Sequence, residues 1–314
     1  MATTQETLDT LDTRARAQPI HVQQSVTDRL AAFPWWILLI LLVGVLFLIT
    51  LTTDADYQDI VAYIIVGIVV TVRITIYAYV LAMIIGLITA LGQLTSTEMT
   101  QRGVWGSVKR ALRIVFHNLA TLYVQVIRGI PTLVLIFYIG LFAFPAIIVP
   151  LINWIGLQLA QAGVLPIDNA LTTLTNRDIS FEIRGIVALA VSYGAFSSEI
   201  FRAGIQSIEK GQIDAAKALG LGWAKVFRLI VFPQAIRRIL PPLGNDFIAM
   251  LKESSLVGVL GVGEITQLGR KYASASFQFS NVYVVLAYLY LTMTLLLSMG
   301  VKFMERRLRT GENH

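Results

Sequence analysis

Four uncharged stretches, residues 30–53, 74–97, 129–167 and 272–301, leave this chain few ways to fold. Each exceeds the roughly 20 apolar residues with which a helix crosses a hydrocarbon core of about 30 Å, and a helix in a water-soluble core has no use for that length. With 56% hydrophobic and 14% charged residues over 314 positions and a mean hydropathy of +0.70, the solvent of this chain is partly lipid. Zero cysteines exclude a disulfide framework and thiolate metal sites, and three histidines leave little for a metal cluster. The net charge of +6 fits Lys and Arg on cytoplasmic loops beside anionic lipid better than a nucleic-acid partner.

The first apolar stretch begins near Pro34, after a polar segment with Glu6, Asp9, Asp12, Arg14, Arg16, Asp28 and Arg29, a pattern unlike a secretory signal peptide. Residues 1–28, polar and free of aromatics, are expected to be a flexible head. Apolar periodicity predicts helices at about 35–52, 60–93, 112–150 with a break near Gly129 to Pro131, 183–208, 247–261 and 282–303, which makes six crossings. Loop charge sets the orientation. The acidic loop Thr53 to Asp59 carries Asp54, Asp56 and Asp59 with no base, so it belongs outside and the head inside. The loops at 94–112 (Arg102, Lys109 and Arg110 against Glu98) and 209–246 (Lys210, Lys217, Lys225, Arg228, Arg237, Arg238), with the tail bases Lys302, Arg306, Arg307 and Arg309, belong in the cytoplasm. Arg270 and Lys271 outweigh Glu264 on the outer side and disobey mildly. Residues 151–182 read as an external loop with room for a short surface helix.

The loop at 211–242 is unusually ordered for a membrane protein. Asp214 suits a first-turn acid or cap, Ala215 and Ala216 favour helix and keep one face small, and Gly220 supplies a left-handed stop. Trp223, Val226, Phe227 and Ile230 recur at helical spacing, after which Pro233 limits the helix and Pro241 and Pro242 close the segment. An amphipathic segment lying on lipid has the same composition. The spacing favours a docking element.

Asp214-Ala215-Ala216, Gly220 after three residues, then nine residues to Ile230 and Phe232-Pro233 resemble the cytoplasmic motif of ABC-importer permeases: Glu-Ala-Ala, three residues, Gly, nine residues, Ile, any residue, Leu-Pro. Asp214 stands where that motif has Glu, and Phe232 where it has Leu. Over about residues 60–305, Ile127-Arg128-Gly129-Ile130-Pro131-Thr132, the run Ala195 to Arg202, Gly204 to Ser207, Leu240 to Asn245 and Leu251 to Leu256 are similar to the histidine/glutamine-type polar amino-acid branch. The resemblance implies an all-α integral membrane fold, the type I ABC importer transmembrane domain, with a five-helix core and, here, one extra N-terminal transmembrane helix. It further implies a second permease subunit, identical or not, two ATPase subunits that hold ATP and Mg, an extracytoplasmic solute-binding protein, a polar amino acid as substrate, and the bacterial inner membrane. Asp214, Ala215, Ala216, Gly220, Ile230 and Pro233 would then couple the chain to its ATPase. No GxxxxGK[ST] loop is present, so nucleotide is hydrolysed on another polypeptide.

Charged side chains near mid-bilayer cost about 2.5–3.5 kcal/mol on insertion scales and need a partner or a wet cavity. Glu199, Arg128 and Arg73 are therefore the candidate substrate ligands, since an Arg can take the carboxylate of a zwitterionic amino acid and a carboxylate its ammonium. The structural alternatives are an intrahelical Glu199–Arg202 pair, a clamp by Arg128 on backbone carbonyls freed at the Gly129–Pro131 break, and a reach by Arg73 to the outer interface. Lys252 and Glu253 read as interfacial residues near the inner end of a helix, and His117 as a polar helix residue. The domain plan is a cytoplasmic head at 1–28, the extra helix and external loop at 29–59, a permease domain at 60–305 with its coupling loop at 209–246, and a cytoplasmic tail at 306–314. An ion-driven secondary transporter would need paired broken helices and further mid-span acids, and a membrane-embedded enzyme a nucleophile or metal constellation. Neither explains the 211–242 loop.

Overall fold

The structure, a computed structural model, describes residues 35–94 and 104–309. The expected head at 1–28, Glu98 and Arg102 of the first basic loop, and residues 310–314 of the tail lie outside the described residues. Two units separate between Asp54 and Ala55. In the first, α1 (Trp35–Thr53) is an uninterrupted apolar helix whose Thr50 and Thr53 hydroxyls donate to the carbonyls of Leu46 and Ile49, 3.0 and 2.9 Å away. The Thr52 hydroxyl donates likewise to Ile49 O at 2.9 Å, and these bonds hide the hydroxyls at the end of α1 from a hydrocarbon solvent.

All regular structure of the second unit, among the described residues, is helical. In chain order come α2 (Ala55–Ile64), α3 (Gly67–Leu94), α4 (Val104–Gly129), α5 (Thr132–Phe137), a π-helical stretch (Tyr138–Ile148), α6 (Val149–Gln161) and α7 (Phe181–Gln206). Then follow α8 (Lys210–Ala218), α9 (Trp223–Val226), a second π-helical stretch (Phe227–Val231), α10 (Phe232–Glu253), a 3-10 turn (Ser254–Leu260), α11 (Ile265–Ser276) and α12 (Phe279–Arg309). Four helical segments of this unit, Ala55–Leu94, Thr132–Gln161, Phe181–Gln206 and Phe279–Leu308, are long and apolar enough to cross a membrane. Of the six expected crossings one is α1 of the first unit, and the expected span 247–261 is missing from these four because its helix, α10, carries Arg237, Arg238, Asp246, Lys252 and Glu253.

Several boundaries correct the sequence reading. The expected span 112–150 is broken at Gly129–Pro131 as anticipated, but it starts at Val104 and runs on to Gln161, so residues 151–161 are helix and not external loop. In the loop that remains, the Thr175 N–H and hydroxyl both donate to Asp178 Oδ2 at 2.7 Å, which holds that carboxyl below the usual carboxylate range. The expected span 247–261 is the second half of a helical run that begins at Trp223. Pro233 does not limit that run, and Pro241 and Pro242 lie inside α10 instead of closing the loop. The π-helical stretches supply the reason at Pro233 and at Pro145. A proline lacks an N–H and its ring presses on the carbonyl four residues back, whereas in a π turn the bonds reach five residues back and that carbonyl moves away. The Phe232 N–H accordingly bonds Phe227 O, and the Val149 N–H bonds Phe144 O.

The core forms where α3 and α7 lie side by side. Gly86 allows it: a Cβ there would stand 2.9 Å from Ser197 Cβ. Ile74, Ala78 and Ala82 of α3 pack with Ala188 and Leu189 of α7, Ile136 of α5, Met250 of α10 and Val257 of the 3-10 turn. Tyrosines tie the outer layer to this pair, Tyr79 donating to Leu243 O and Tyr123 to Val191 O, each at 2.6 Å. A smaller cluster of Ile208, Ala216, Val226, Val231, Ala235, Ile239 and Leu243 seats α8 and α9 against α10. α7 crosses α10 closely, and a Cβ at Gly204 would meet Ile239 Cγ1 at 2.2 Å. Gly204→Ala therefore overpacks this crossing and is expected to cost about 1–3 kcal/mol. A lowered melting temperature in detergent that Ile239→Val partly restores checks it, and an unchanged melt refutes the contact.

Candidate functional site

The short helix α8 sits at the end of the unit where α7 finishes. Glu209, with extended backbone (φ −60°, ψ 126°), precedes it, so α8 begins at Lys210 and Asp214 is its fifth residue, not a first-turn acid or cap. Asp214 instead points outward and approaches Lys217 at 3.9 Å. Gly220 does supply the stop, at φ +79°. The Leu221 N–H bonds Ala216 O at 3.2 Å and the Gly220 N–H bonds Lys217 O at 2.9 Å, the paired bonds that close a helix through a left-handed glycine. Ala216, 3% exposed, faces the cluster on α10 with Val226 and the half-buried Ile230, while Ala215, Leu219 (83% exposed) and Trp223 (60% exposed) face away. Pro233 stands half-buried just beyond the π turn. The outer face of α8 and α9 is thus rigidly backed and apolar at its rim, a surface suited to a protein neighbour.

Two of the three candidate ligands meet. Arg128, the penultimate residue of α4, forms an ion pair through Nη1 with Oε1 of Glu199 on α7, and its guanidinium lies 5.3 Å from the centroid of the Phe196 ring. Glu199 is therefore not paired with Arg202, which donates to Gln206 Oε1 at 3.2 Å. Arg128 clasps a carboxylate rather than the carbonyls at the Gly129–Pro131 break. Both side chains keep substantial exposure, 40% and 33%, so the pair is open to an incoming ion. Arg73 is elsewhere. Its Nε and Nη2 grip both oxygens of Glu182, at 2.7 and 2.8 Å, at the opposite end of α7.

Other polar groups in this layer escaped the sequence reading. Asp246 on α10 accepts a hydrogen bond from Ser197 of α7 at 3.2 Å. Glu253, seven residues on, has Oε2 buried without a hydrogen-bond partner and lies beside Tyr193, so it belongs to the α7–α10 contact. Arg184 is buried at the start of α7, where it donates to the carbonyls of Ile179, Gly140 and Asn176 and lies under the Phe181 and Phe144 rings. The available signal was the seven-residue spacing of Asp246 and Glu253, which places both on one helix face. Starting that span at residue 247 left Asp246 in the loop and hid it.

A family model described as "Binding-protein-dependent transport system inner membrane component" matches residues 103–310. The histidine/lysine/arginine/ornithine transport system permease protein HisQ of Escherichia coli (strain K12) is 33% identical over 254 residues, covering 78% of this chain and 92% of the relative. The probable glutamine ABC transporter permease protein GlnM of Bacillus subtilis (strain 168) is 34% identical over 192 residues, 60% of this chain and 74% of the relative. Among solved structures, one described as the crystal structure of an amino acid ABC transporter with histidines superposes with a TM-score of 0.60 at 31% identity, over 81% of this chain and all of that one.

Proposed function

The chain belongs to the family of binding-protein-dependent transport system inner membrane components and is a permease subunit of an ABC importer, and on that premise we propose that it carries polar amino acids inward. Glutamine, glutamate, histidine or a similar polar amino acid is the cargo; the named relatives that move glutamine and histidine support this reading. The five-helix core lies within 60–305, with α1 as an additional crossing, and α8 and both termini face the cytoplasm of a bacterial inner-membrane protein. A second permease subunit, two ATPases and an extracytoplasmic binding protein complete the assembly. ATP and Mg act on the ATPases, and this chain is not itself an enzyme.

The observation that carries the coupling role is the outward face of α8, backed by Ala216 and stopped by Gly220. Asp214, Ala215 and Leu219 project from it, and Ile230 and Pro233 brace the helix behind it. When two ATPases close around nucleotide, α8 moves with them as a rigid body, and the spanning helices exchange one accessible side for the other. Within the passage Arg128 and Glu199 supply the polar station: the substrate carboxylate replaces Glu199 on Arg128, and its ammonium takes the released Glu199. Arg73, its fork occupied by Glu182, holds the distal end of α3 to α7 and serves substrate less directly.

Reconstitution tests the whole reading. Proteoliposomes holding this chain, its permease partner and the ATPase, supplied with binding protein outside and ATP inside, are expected to accumulate labelled L-glutamine or L-histidine, and to stop when ADP replaces ATP. Accumulation driven by a sodium or proton gradient without nucleotide would sink it.

A further inference from the structure

An open groove of about 430 Å³ runs between α7 and α10, within the volume range of about 300–1,000 Å³ usual for small-molecule sites. Glu199 stands at one end and Ser207 with Arg238 at the other, with Ile200, Ala203 and Pro242 along the floor. Each charged group has unused capacity toward it. Glu199 spends Oε1 on Arg128, and Oε2 makes no hydrogen bond among the described residues. Arg238 donates Nη1 to the carbonyl of Ser207 and has four further N–H groups with no acceptor among the described residues.

We infer that Glu199 and Arg238 form a second station for the transported amino acid, one step nearer the cytoplasm than the Arg128–Glu199 pair, with the α-ammonium on Glu199 Oε2 and the α-carboxylate on Arg238. This rests on the permease reading and adds to it a residue and a direction. Ser207, to which Arg238 is anchored, lies eight residues beyond Glu199, about 12 Å along the helix at 1.5 Å per residue. An α-amino acid with one hydrogen bond at each charged end spans roughly 8–9 Å between the atoms that hold it, which is less than that rise. Glu199 is common to both stations, so the ammonium stays in place while the carboxylate swings from α4 to α10. The move trades one guanidinium for another and never strands a bare charge, which keeps the step shallow. The apolar floor takes the side chain without demanding a particular one.

Binding of labelled L-glutamine and L-histidine to the full chain in phosphatidylcholine nanodiscs tests the assignment, with the α-carboxamide of glutamine as a ligand that lacks the anionic end. Arg238→Gln is expected to weaken the amino acids at least tenfold and the carboxamide less than twofold, and Arg238→Lys to recover most of the loss. Equal weakening of both ligands would make Arg238 a structural residue, and unchanged affinity would place the carboxylate elsewhere; either overturns the station. No binding by the unaltered chain overturns it too, as does binding that follows added phosphatidylethanolamine and not Arg238, the mark of a lipid groove. If Arg238→Gln binds normally while ATP-driven uptake persists, the station alone fails; if no uptake follows ATP, the permease reading fails.

Discussion

A Gly220→Pro chain is expected to reach the membrane in normal amount and to lose its ATPase, with co-purification falling at least tenfold. Gly220 sits at φ +79°, and a proline ring holds φ near −65°, so the substitution cannot take up the native backbone. It also deletes the N–H that bonds Lys217 O, and it displaces the neighbouring bond from Leu221 to Ala216 O. The end of α8 then swings out of its seat, and Leu219 and Trp223 no longer present one surface. Insertion is spared because the change lies outside the four long apolar segments. A graded series sharpens the test: Asn tolerates the left-handed region and retains most of the capture, Ala loses about 1–2 kcal/mol and gives a partial loss, and Pro gives the full one. Equal capture of the ATPase by the Gly and Pro chains would remove this turn from the coupling mechanism.

The second large effect is at Glu199. Glu199→Gln should cut ATP-driven uptake at least tenfold in the same proteoliposomes, because it removes the ammonium acceptor and leaves the Arg128 charge facing an amide. Glu182→Gln, at the opposite end of α7 and away from the Arg128–Glu199 pair, is expected to change uptake less than twofold. A double variant, Arg128→Gln with Glu199→Gln, separates the two roles of the pair. It relieves any unpaired charge, so recovered uptake would show a purely structural bridge, and uptake that stays low supports a substrate contact.

What the sequence displayed well was whatever is decided locally. The uncharged runs marked three of the four long segments of the second unit, because hydrocarbon imposes a length on any helix within it. The break at Gly129–Pro131 and the stop at Gly220 follow from the conformational limits of single residues, and both stand where they were expected. Asp214 was misjudged because the start of α8 is set by the extended backbone at Glu209, which has no signature in the side chain there. Pro233 misled because the remedy for a proline, a turn widened to five-residue bonds, depends on room supplied by neighbouring helices. The Arg128–Glu199 contact was invisible for another reason. Each residue was flagged by the cost of charge in lipid, but their meeting depends on how α4 crosses α7, which no local pattern encodes. The same holds for Asp246 with Ser197, and for Arg238 with the Ser207 carbonyl.

The helical run from Trp223 to Glu253 makes a strut about 45 Å long at 1.5 Å per residue, with its foot beside α8 and its head at Tyr193. Along its length the joint nearest the foot is the widened turn at Phe227–Val231, and the proline pair Pro241–Pro242 interrupts the hydrogen-bond ladder again farther up. A push delivered at the foot is spent first on tilting the strut about the widened turn, and what passes it carries Arg238 past α7 ahead of the prolines and Asp246 and Glu253 beyond them. The gearing between fuel and cargo would then be set by the stiffness of that turn and of the proline pair, and shortening the turn by one residue would rotate the shaft so that its acids met a different neighbour.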